Sequence, residues 1–372
     1  MAGSNPAPED PYEPATHRPP AAGSTAATSP PGDGAGPASE RALARSGFWF
    51  GVAAYGMWGA VPLYWTAVDA ASSAEILANR MVWSLVFLAI VLALRGDWGW
   101  MRPVLRSPRR LGMLVLAAAA ITVNWGMYIW GVTSGQVVET ALGYFINPLV
   151  TIAFGVLVMR ERLRVAQWAA VGIGLAAVLV LAFAYGRPPW LALTLAFSFA
   201  TYGLIKKFVG LSGIQGVAAE SAIQFLPALG YLVWLAAQGT ATLTSPGTHG
   251  WDQTLLLVAA GVVTAVPLMC FGTAATRVPL TTMGMLQYLA PILQFLLGLV
   301  VFQEEMPTAR WVGFVLVWVA LVVLTADAVL AARRRRARER TARPGGGKAA
   351  GRTPGAGARG RQPSRGRAAT RR

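Results

Sequence analysis

The sequence predicts an all-α polytopic membrane protein whose ten transmembrane helices form two inverted five-helix repeats around a central cavity. Three observations lead to this fold class: a very apolar composition, ten long apolar segments, and one sequence pattern that occurs twice. The chain has 372 residues, of which 55% are hydrophobic and only 13% are charged. Soluble domains carry roughly 25% charged residues, so this chain has too little polar surface to form a water-soluble globule.

The apolar segments are long enough to cross a bilayer, whose hydrocarbon core requires about 20 residues of α-helix. Charged residues or Pro- and Gly-rich breaks separate one segment from the next. The first five segments form a predicted repeat over 47–185, and the last five form a second repeat over 190–331. The ten predicted helices span residues 47–68, 74–94, 111–131, 140–159, 165–185, 190–208, 217–237, 254–275, 280–302 and 310–331.

The distribution of lysine and arginine predicts the orientation of the helices. With a cytoplasmic N-terminus, the cytoplasmic loops hold eleven of these residues, whereas the opposite loops hold only Arg187 and Arg310. Cytoplasmic loops of membrane proteins carry an excess of Lys and Arg. We therefore predict a multi-pass protein of the cytoplasmic membrane, embedded in the lipid bilayer, with both termini inside the cell.

The net charge of +16 is concentrated in the C-terminal region. Residues 333–372 carry 14 of these positive charges, and residues 1–46 are rich in Pro, Ala, Gly and Ser. Both regions contain too few apolar residues to fold, so we predict that they are disordered. The basic tail could contact anionic lipid or RNA without specificity. A solvated cytoplasmic tail is the simpler interpretation, and no specific nucleic-acid partner is expected.

One long pattern occurs twice in the chain. The two copies read LGYFINPLVTIAFGVLVMRERLRVAQW over 142–168 and MLQYLAPILQFLLGLVVFQEEMPTARW over 285–311. The spacing between corresponding residues is the same along the whole pattern. Pro148, for example, corresponds to Pro291. Because five helices is an odd number, the second copy enters the membrane in the opposite orientation. Inverted repeats of this kind are typical of secondary transporters, whose two halves open a central site to alternate sides of the membrane.

Two matched prolines predict where a substrate would bind. Pro148 and Pro291 lie inside their helices, where a proline kinks the helix and frees a backbone carbonyl group. In lipid, such a carbonyl must face protein or a wet cavity. The kinks could merely shape helix packing, but the polar neighbours favour a cavity. The predicted substrate-binding residues are Tyr144, Asn147, Gln287 and Tyr288, together with Asn124, for which a hydrogen bond to a neighbouring helix is an equal alternative.

Charged and amide side chains at the starts of the second and seventh helices predict the two mouths of the cavity. Glu75, Asn79 and Arg80 would lie at the outer mouth. Glu220 and Gln224 would lie at the inner mouth, and they repeat the i, i+4 spacing of Glu75 and Asn79. A charge inside a membrane helix is rare unless it is paired or functional. Extension of Arg80 to the outer headgroups is the alternative.

Two glutamates follow the fourth and ninth helices, and they are predicted to be structural or gating residues. Glu161 and Glu304 occupy equivalent positions in the two copies of the pattern, at opposite faces of the membrane. Each could cap the N-terminus of a neighbouring helix or pair with an arginine. We expect neither of them to bind substrate.

The sequence offers no evidence of catalytic chemistry. Cys270 is the single cysteine, the chain has two histidines, and no group of residues has the spacing of metal ligands. Nucleotide-binding and hydrolase motifs are also missing from the sequence. We therefore expect no cofactor, no metal and no enzymatic activity, and possible coupling to a proton or ion gradient. A non-transporting membrane receptor or a membrane-embedded enzyme is the alternative class.

Four segments resemble a known family. EILANRMVWS, LGYFINPLV, AFSFATYGLIKK and VPLMCFGTAATR are similar to the RarD-type permeases of the EamA branch of the drug/metabolite transporter superfamily. The resemblance covers about residues 47–330. It implies two inverted halves around a cavity, peripheral fifth and tenth helices, and export of small metabolites or drugs. The family often has Gly-Glu at the ends of the fourth and ninth helices, where this chain has Arg160 and Gln303 before the two glutamates. Whether these two helices end in a tight turn is therefore an open question at this point.

Overall fold

The computed structural model describes residues 37–96, 98–160, 162–211 and 213–341. These residues form helices and no strand. The packed core lies within residues 43–341. The helices are α1 Pro37–Ala67, α2 Ser73–Arg95, α3 Met101–Leu105, α4 Pro108–Thr133, α5 Val137–Met159, α6 Val165–Tyr185, α7 Trp190–Val209, α8 Gly213–Ala237, α9 Pro246–His249, α10 Trp251–Arg277, α11 Leu280–Leu286, α12 Leu289–Leu296, a π-helical turn Leu297–Val301, and α13 Thr308–Thr341.

Eight helical segments are long and apolar enough to cross a membrane. They comprise α2, α4, α5, α6, α8, α10, the segment Thr282–Val301 and α13. The apolar part of α7, Trp190–Lys206, is shorter, and α1 is not among the eight. The chain is therefore an all-α protein with eight candidate membrane spans in its described part. All ten segments predicted from the sequence are helical, and the ninth is divided between α11, α12 and the π-helical turn.

The first and last long helices extend beyond the apolar segments. Helix α1 begins at Pro37 and α13 ends at Thr341. Residues 37–46 and 333–341 are therefore helical, although composition assigned them to the disordered terminal regions. Both stretches are rich in Ala, Arg and Glu, which have high helix propensity, so an adjacent apolar helix continues through them. Residues 1–36 and 342–372 lie outside the described part of the chain.

The two prolines of the repeated pattern affect their helices differently. Helix α5 is continuous through Pro148. The ninth segment is interrupted at Gln287 and Tyr288, four and three residues before Pro291. A proline has no N–H group to donate to the carbonyl four residues before it, so the weak point falls at Gln287. The helix resumes at Leu289.

The helices of the fourth and ninth predicted spans end tightly without glycine. Arg160 follows α5 with φ 54° and ψ 33°, and its N–H group donates to the carbonyl of Gly155. Gln303 follows the π-helical turn with φ 50°. Left-handed backbone costs a non-glycine residue roughly 1–2 kcal/mol. Arg160 and Gln303 thus both adopt the left-handed backbone conformation that glycine adopts without strain.

Two apolar clusters hold most of the long helices together. In the first, Phe145 of α5 and Phe295 of α12 pack on Phe314 of α13, with ring centroids 6.2 and 4.7 Å away, respectively. In the second, Trp65 of α1 packs with residues of α2, α4, α5, α7 and α10, including the fully buried Leu257. Helix α2 packs on α8 and α10, α5 on α7 and α12, and α6 on α13.

Candidate functional site

Arg80 is enclosed by aromatic rings inside the helical bundle. Arg80 lies about two turns after the start of α2, and only 8% of the residue is exposed. Its guanidinium carbon lies 3.9 Å from the ring centroid of Trp125 in α4 and 5.6 Å from that of Trp65 in α1. A desolvated cation over an aromatic ring gains ~2 kcal/mol or more, which offsets part of the cost of burial. The side chain therefore points into the protein.

Two tyrosines complete this aromatic enclosure. Tyr128 of α4 and Tyr144 of α5 have ring centroids 5.6 Å apart. Both pack in the same cluster as Trp65. We refer to Arg80, Trp65, Trp125, Tyr128 and Tyr144 as the Arg80 cage. Four helices, α1, α2, α4 and α5, contribute to it, so its geometry depends on the packing of this part of the bundle.

Asn124 supports the cage and makes three hydrogen bonds. Its Nδ2 donates to the carbonyl of Leu195 and to Oγ of Ser198, both in α7 and both at 3.0 Å. Its Oδ1 accepts from the hydroxyl group of Tyr144 at 3.3 Å. The residue is fully buried. This geometry matches the alternative in which Asn124 joins neighbouring helices, and it fixes the direction of the Tyr144 hydroxyl group.

The other predicted substrate-binding residues occupy different environments. Tyr288 is partly buried and packs against the cluster around Phe145. Tyr144 packs in the cluster around Trp65. In the aligned copies of the pattern, Gln287 rather than Tyr288 corresponds to Tyr144, and one residue turns a helix by about 100°. The structure thus does not bring Tyr288 and Tyr144 together.

Asn147 and Gln287 differ in burial. Gln287 is exposed, whereas Asn147 is half-buried. The side-chain carbonyl oxygen of Asn147 is buried and has no hydrogen-bond partner among the described residues. An unsatisfied buried acceptor costs ~1–3 kcal/mol, so water or a ligand group would stabilise this position. The role of both amides in binding stays a prediction.

Glu75 connects the start of α2 to the segment between α8 and α9. Its carboxylate accepts from the backbone N–H group of Thr242 at 2.7 Å and from the Thr242 hydroxyl group at 3.0 Å. Asn79 donates from Nδ2 to the backbone carbonyl of Glu75 at 3.0 Å, while its own Oδ1 is buried without a partner. Glu75 and Asn79 are 3% and 0% exposed, so neither lines an open mouth here.

Glu220 is buried in a cluster of polar side chains where the C-terminal end of α7 meets the N-terminal end of α8. Its carboxylate forms an ion pair with Nζ of Lys206 at 2.8 Å and accepts from the Tyr202 hydroxyl group at 3.0 Å. Gln224 donates from Nε2 to the backbone carbonyl of Ala118 in α4 at 3.0 Å. Sequence analysis did not find the partners Tyr202 and Lys206. Tyr202 and Lys206 are spaced i, i+4 at the end of an apolar helix, and this spacing indicates that the two side chains lie on the same face of the helix.

Glu304 caps the N-terminus of α5. Its carboxylate accepts from the backbone N–H groups of Val137 and Val138, with a distance of 3.2 Å to Val138. Burial raises the pKa of Glu304, and the hydrogen bonds from α5 oppose that shift. Gly298 permits this approach, since a Cβ atom there would lie 2.6 Å from Cγ2 of Val138. Glu161, its counterpart in the repeated pattern, lies outside the described residues.

Comparisons with known proteins agree with this helical architecture. Residues 45–183 match the EamA-like transporter family. The protein RarD of Streptomyces exfoliatus is 58% identical over 300 residues, covering 81% of this chain and 94% of that protein. The protein RarD of Escherichia coli K12 is 38% identical over 290 residues, covering 78% and 97%.

An uncharacterized transporter of Vibrio cholerae is 38% identical over 288 residues, covering 77% of this chain and 94% of that protein. Identity of this extent spans nearly the full length of each of these relatives. Together with the apolar helices, it identifies a multi-pass membrane transporter of the drug/metabolite superfamily. The chain belongs to the EamA-like transporter family, as a RarD-type permease.

Proposed function

We propose that the protein is a secondary transporter that moves a small metabolite or drug-like molecule across the cytoplasmic membrane. Ten helices in two inverted halves, α1–α6 and α7–α13, would alternate access to a central cavity, with export as the direction and both termini in the cytoplasm. The observation that carries this proposal is the buried cationic and aromatic cage within a bundle of apolar helices. A cation at this depth is energetically costly, and charged residues inside membrane helices are found mostly where they serve a function.

Helix packing supports the two inverted halves. A two-fold axis in the membrane plane would bring equivalent helices of the halves together. Contacts of this kind occur between the second and seventh, the fourth and ninth, and the fifth and tenth predicted spans, which are α2 with α8, α5 with α12, and α6 with α13. Arg160 and Gln303, both with positive φ, occupy equivalent positions in the two copies of the repeated pattern.

Buried polar contacts join the halves at the predicted outer end. Glu75 accepts two hydrogen bonds from Thr242, and Glu304 caps α5. Gln253 of α10 donates from Nε2 to the backbone carbonyl of Ala67 in α1 at 3.1 Å. Glu75, Thr242 and Gln253 are all at most 7% exposed. We infer that this conformation is closed toward the outside, which is one of the two states that alternating access requires.

The contacts between the halves at the predicted inner end are of two kinds. Gln224 of α8 donates to the carbonyl of Ala118 in α4 through a buried hydrogen bond, and two further contacts are exposed. Arg277 of α10 donates to Oγ of Ser46 in α1 at 3.1 Å. Arg164 pairs with Asp327 at 3.3 Å, with the arginine side chain 51% exposed. Exposed ion pairs contribute ~0–1 kcal/mol.

Coupling to a proton or ion gradient would use the buried carboxylate of Glu220. Its partners Lys206 and Tyr202 come from α7, so loss of its charge would release one helix end from another. Glu220→Gln removes the titratable group but keeps its shape. If Glu220 couples transport, the variant should exchange substrate across the membrane normally and lose its response to an imposed pH or ion gradient. Gradient-driven flux at the wild-type rate would contradict this assignment.

The test of the proposed function is transport by purified protein in proteoliposomes. Flux of a panel of small carboxylates, amides and amines is measured in both directions, and mass spectrometry records whether any compound is chemically altered. Saturable flux of unaltered compound above that of protein-free vesicles supports a transporter. Binding without flux would favour the receptor alternative, and conversion of a compound would favour the enzyme alternative.

Topology is tested independently with single cysteines in a Cys270→Ala background. Cysteine in place of Ser245 should react with an impermeant reagent from outside intact cells, and cysteine in place of Ser107 only after the cells are opened. Reaction of both positions from the same side would contradict the inverted repeat.

A further inference from the structure

We propose that the Arg80 cage binds the carboxylate of the substrate, so that the transported molecules are organic anions. The inference rests on the proposed transport function and names the substrate class of its site. The observations that carry it are a buried cation without an anionic partner and a set of buried donor groups that surround it.

The charge of Arg80 has no counter-ion within the described residues. The ion pairs found there are Arg164 with Asp327 and Lys206 with Glu220. The carboxylate of Glu75, five residues earlier on α2, is occupied by Thr242. A buried charge is normally paired, and arginine does not lose its proton in proteins. The cage therefore has a net positive charge that an anionic ligand would neutralise.

The unsatisfied polar atoms of the cage are donors. Nε of Arg80, Nε1 of Trp65 and Oη of Tyr128 are buried without a hydrogen-bond partner in the described structure. Guanidinium and indole N–H groups can only donate, and the tyrosine hydroxyl group also has a proton to donate. A complementary ligand must therefore supply acceptors, and a carboxylate supplies two oxygens without a donor. Charge-assisted hydrogen bonds to such a group are roughly twice as strong as neutral ones.

The same geometry excludes a cationic ligand. Aromatic rings often bind ammonium groups through their faces, but the rings of Trp125 and Trp65 already flank the guanidinium group of Arg80. A second cation in the cage would meet a like charge in a region of low dielectric constant.

A purely structural role for Arg80 is the competing explanation, and ligand charge separates the two. The probes are three compounds of matched size: phenylacetate, phenylacetamide and phenethylamine, with charges of about −1, 0 and +1 at pH 7. Binding to purified protein is measured by ligand-induced thermal stabilisation, and flux is measured in proteoliposomes. For the wild type we expect phenylacetate to bind at least about tenfold more tightly than phenylacetamide and to be transported, with no response to phenethylamine.

Variants at the cage test which atoms are responsible. Arg80→Gln should abolish the preference for phenylacetate over phenylacetamide, and Arg80→Lys should restore part of it because the charge is retained. Trp65→Phe removes one donor and should weaken phenylacetate binding several-fold. Trp318→Phe is the matched control, since Trp318 packs in the separate cluster around Phe314, and it should leave binding unchanged. If Arg80→Gln does not fold, the Arg80→Lys and Trp65→Phe results decide.

Each outcome has one meaning. Absence of phenylacetate binding, equal binding of the amide, a preference for the amine, or an undiminished preference in Arg80→Gln would overturn the anion site. Flux of amides or amines that does not depend on Arg80 would overturn the anion site while supporting the transporter. Arg80-dependent binding of phenylacetate without flux would support the site as an anion site and refute the proposed transport function.

Discussion

Substitution of Glu304 by alanine should destabilise the protein because it removes the acceptor at the N-terminus of α5. Val137 and Val138 are both fully buried, so their N–H groups cannot be rescued by bulk water. Loss of a helix cap costs ~0.5–2 kcal/mol, and an unsatisfied buried donor costs ~1–3 kcal/mol. These terms describe the same contacts and overlap, so we expect a loss of about 2 kcal/mol.

Thermal unfolding of the purified protein in detergent measures this loss. About 2 kcal/mol corresponds to a decrease in the midpoint temperature of roughly 4 °C for a chain of this size or somewhat smaller. The matched control is Glu305→Ala, which removes the same charge from the neighbouring exposed residue and should change the midpoint little. Glu304→Gln keeps an acceptor oxygen and should be intermediate. Equal effects of Glu304→Ala and Glu305→Ala would refute the capping argument.

Three further predictions use the same unfolding assay. Arg160→Gly and Gln303→Gly should each stabilise the protein by about 0.5–1 kcal/mol, since both residues have positive φ; destabilisation by both would show that their side chains matter more than backbone strain. Gly298→Ala should destabilise it, because the added Cβ would lie 2.6 Å from a side-chain carbon of α5, whereas Gly272→Ala adds a Cβ in open space and should not. Burial raises the pKa of Glu304, so protonation of Glu304 adds stability that is fully present below the unfolded pKa of ~4.3 and is lost as pH rises through the folded pKa, while the capping hydrogen bonds to the carboxylate remain. The wild type should therefore gain stability relative to Glu304→Gln as pH falls toward ~4.3, and a constant difference between about pH 7 and pH 4.3 would contradict the shift.

The helices were largely predictable because membrane spans are defined by composition and length. The predicted span 165–185 coincides with α6, Val165–Tyr185. Pattern analysis also located the break in the ninth segment, since Pro291 withholds a donor from the carbonyl of Gln287. The ends of α1 and α13 were not predictable from hydropathy, because helix propensity rather than apolar character carries them beyond the bilayer segments.

The candidate site was only partly predictable. Arg80 was found because a charge in an apolar segment is conspicuous. Its ring partners Trp65 and Trp125 were not found, since an aromatic residue in an apolar helix gives no sign of whether it faces lipid or protein. Tyr288 was grouped with Tyr144 because both lie near a kink proline. Their different surroundings depend on helix rotation, which neither composition nor spacing specifies.

The position of the cage has a consequence for how transport would be gated. All five cage residues belong to the first half of the chain, while α10 of the second half covers the same cluster with Leu257 and Ala260. In the proposed alternating-access cycle, closure of one half over the other would remove Arg80 from water, and a charge without a counter-ion would make that closure costly. The proposed organic anion would lower this cost by neutralising the charge, and it would thus favour the occluded state relative to the empty protein. A ligand shifts a conformational equilibrium only by its differential affinity for the two states, and in the proposed cycle the burial of one unpaired guanidinium group would supply that difference.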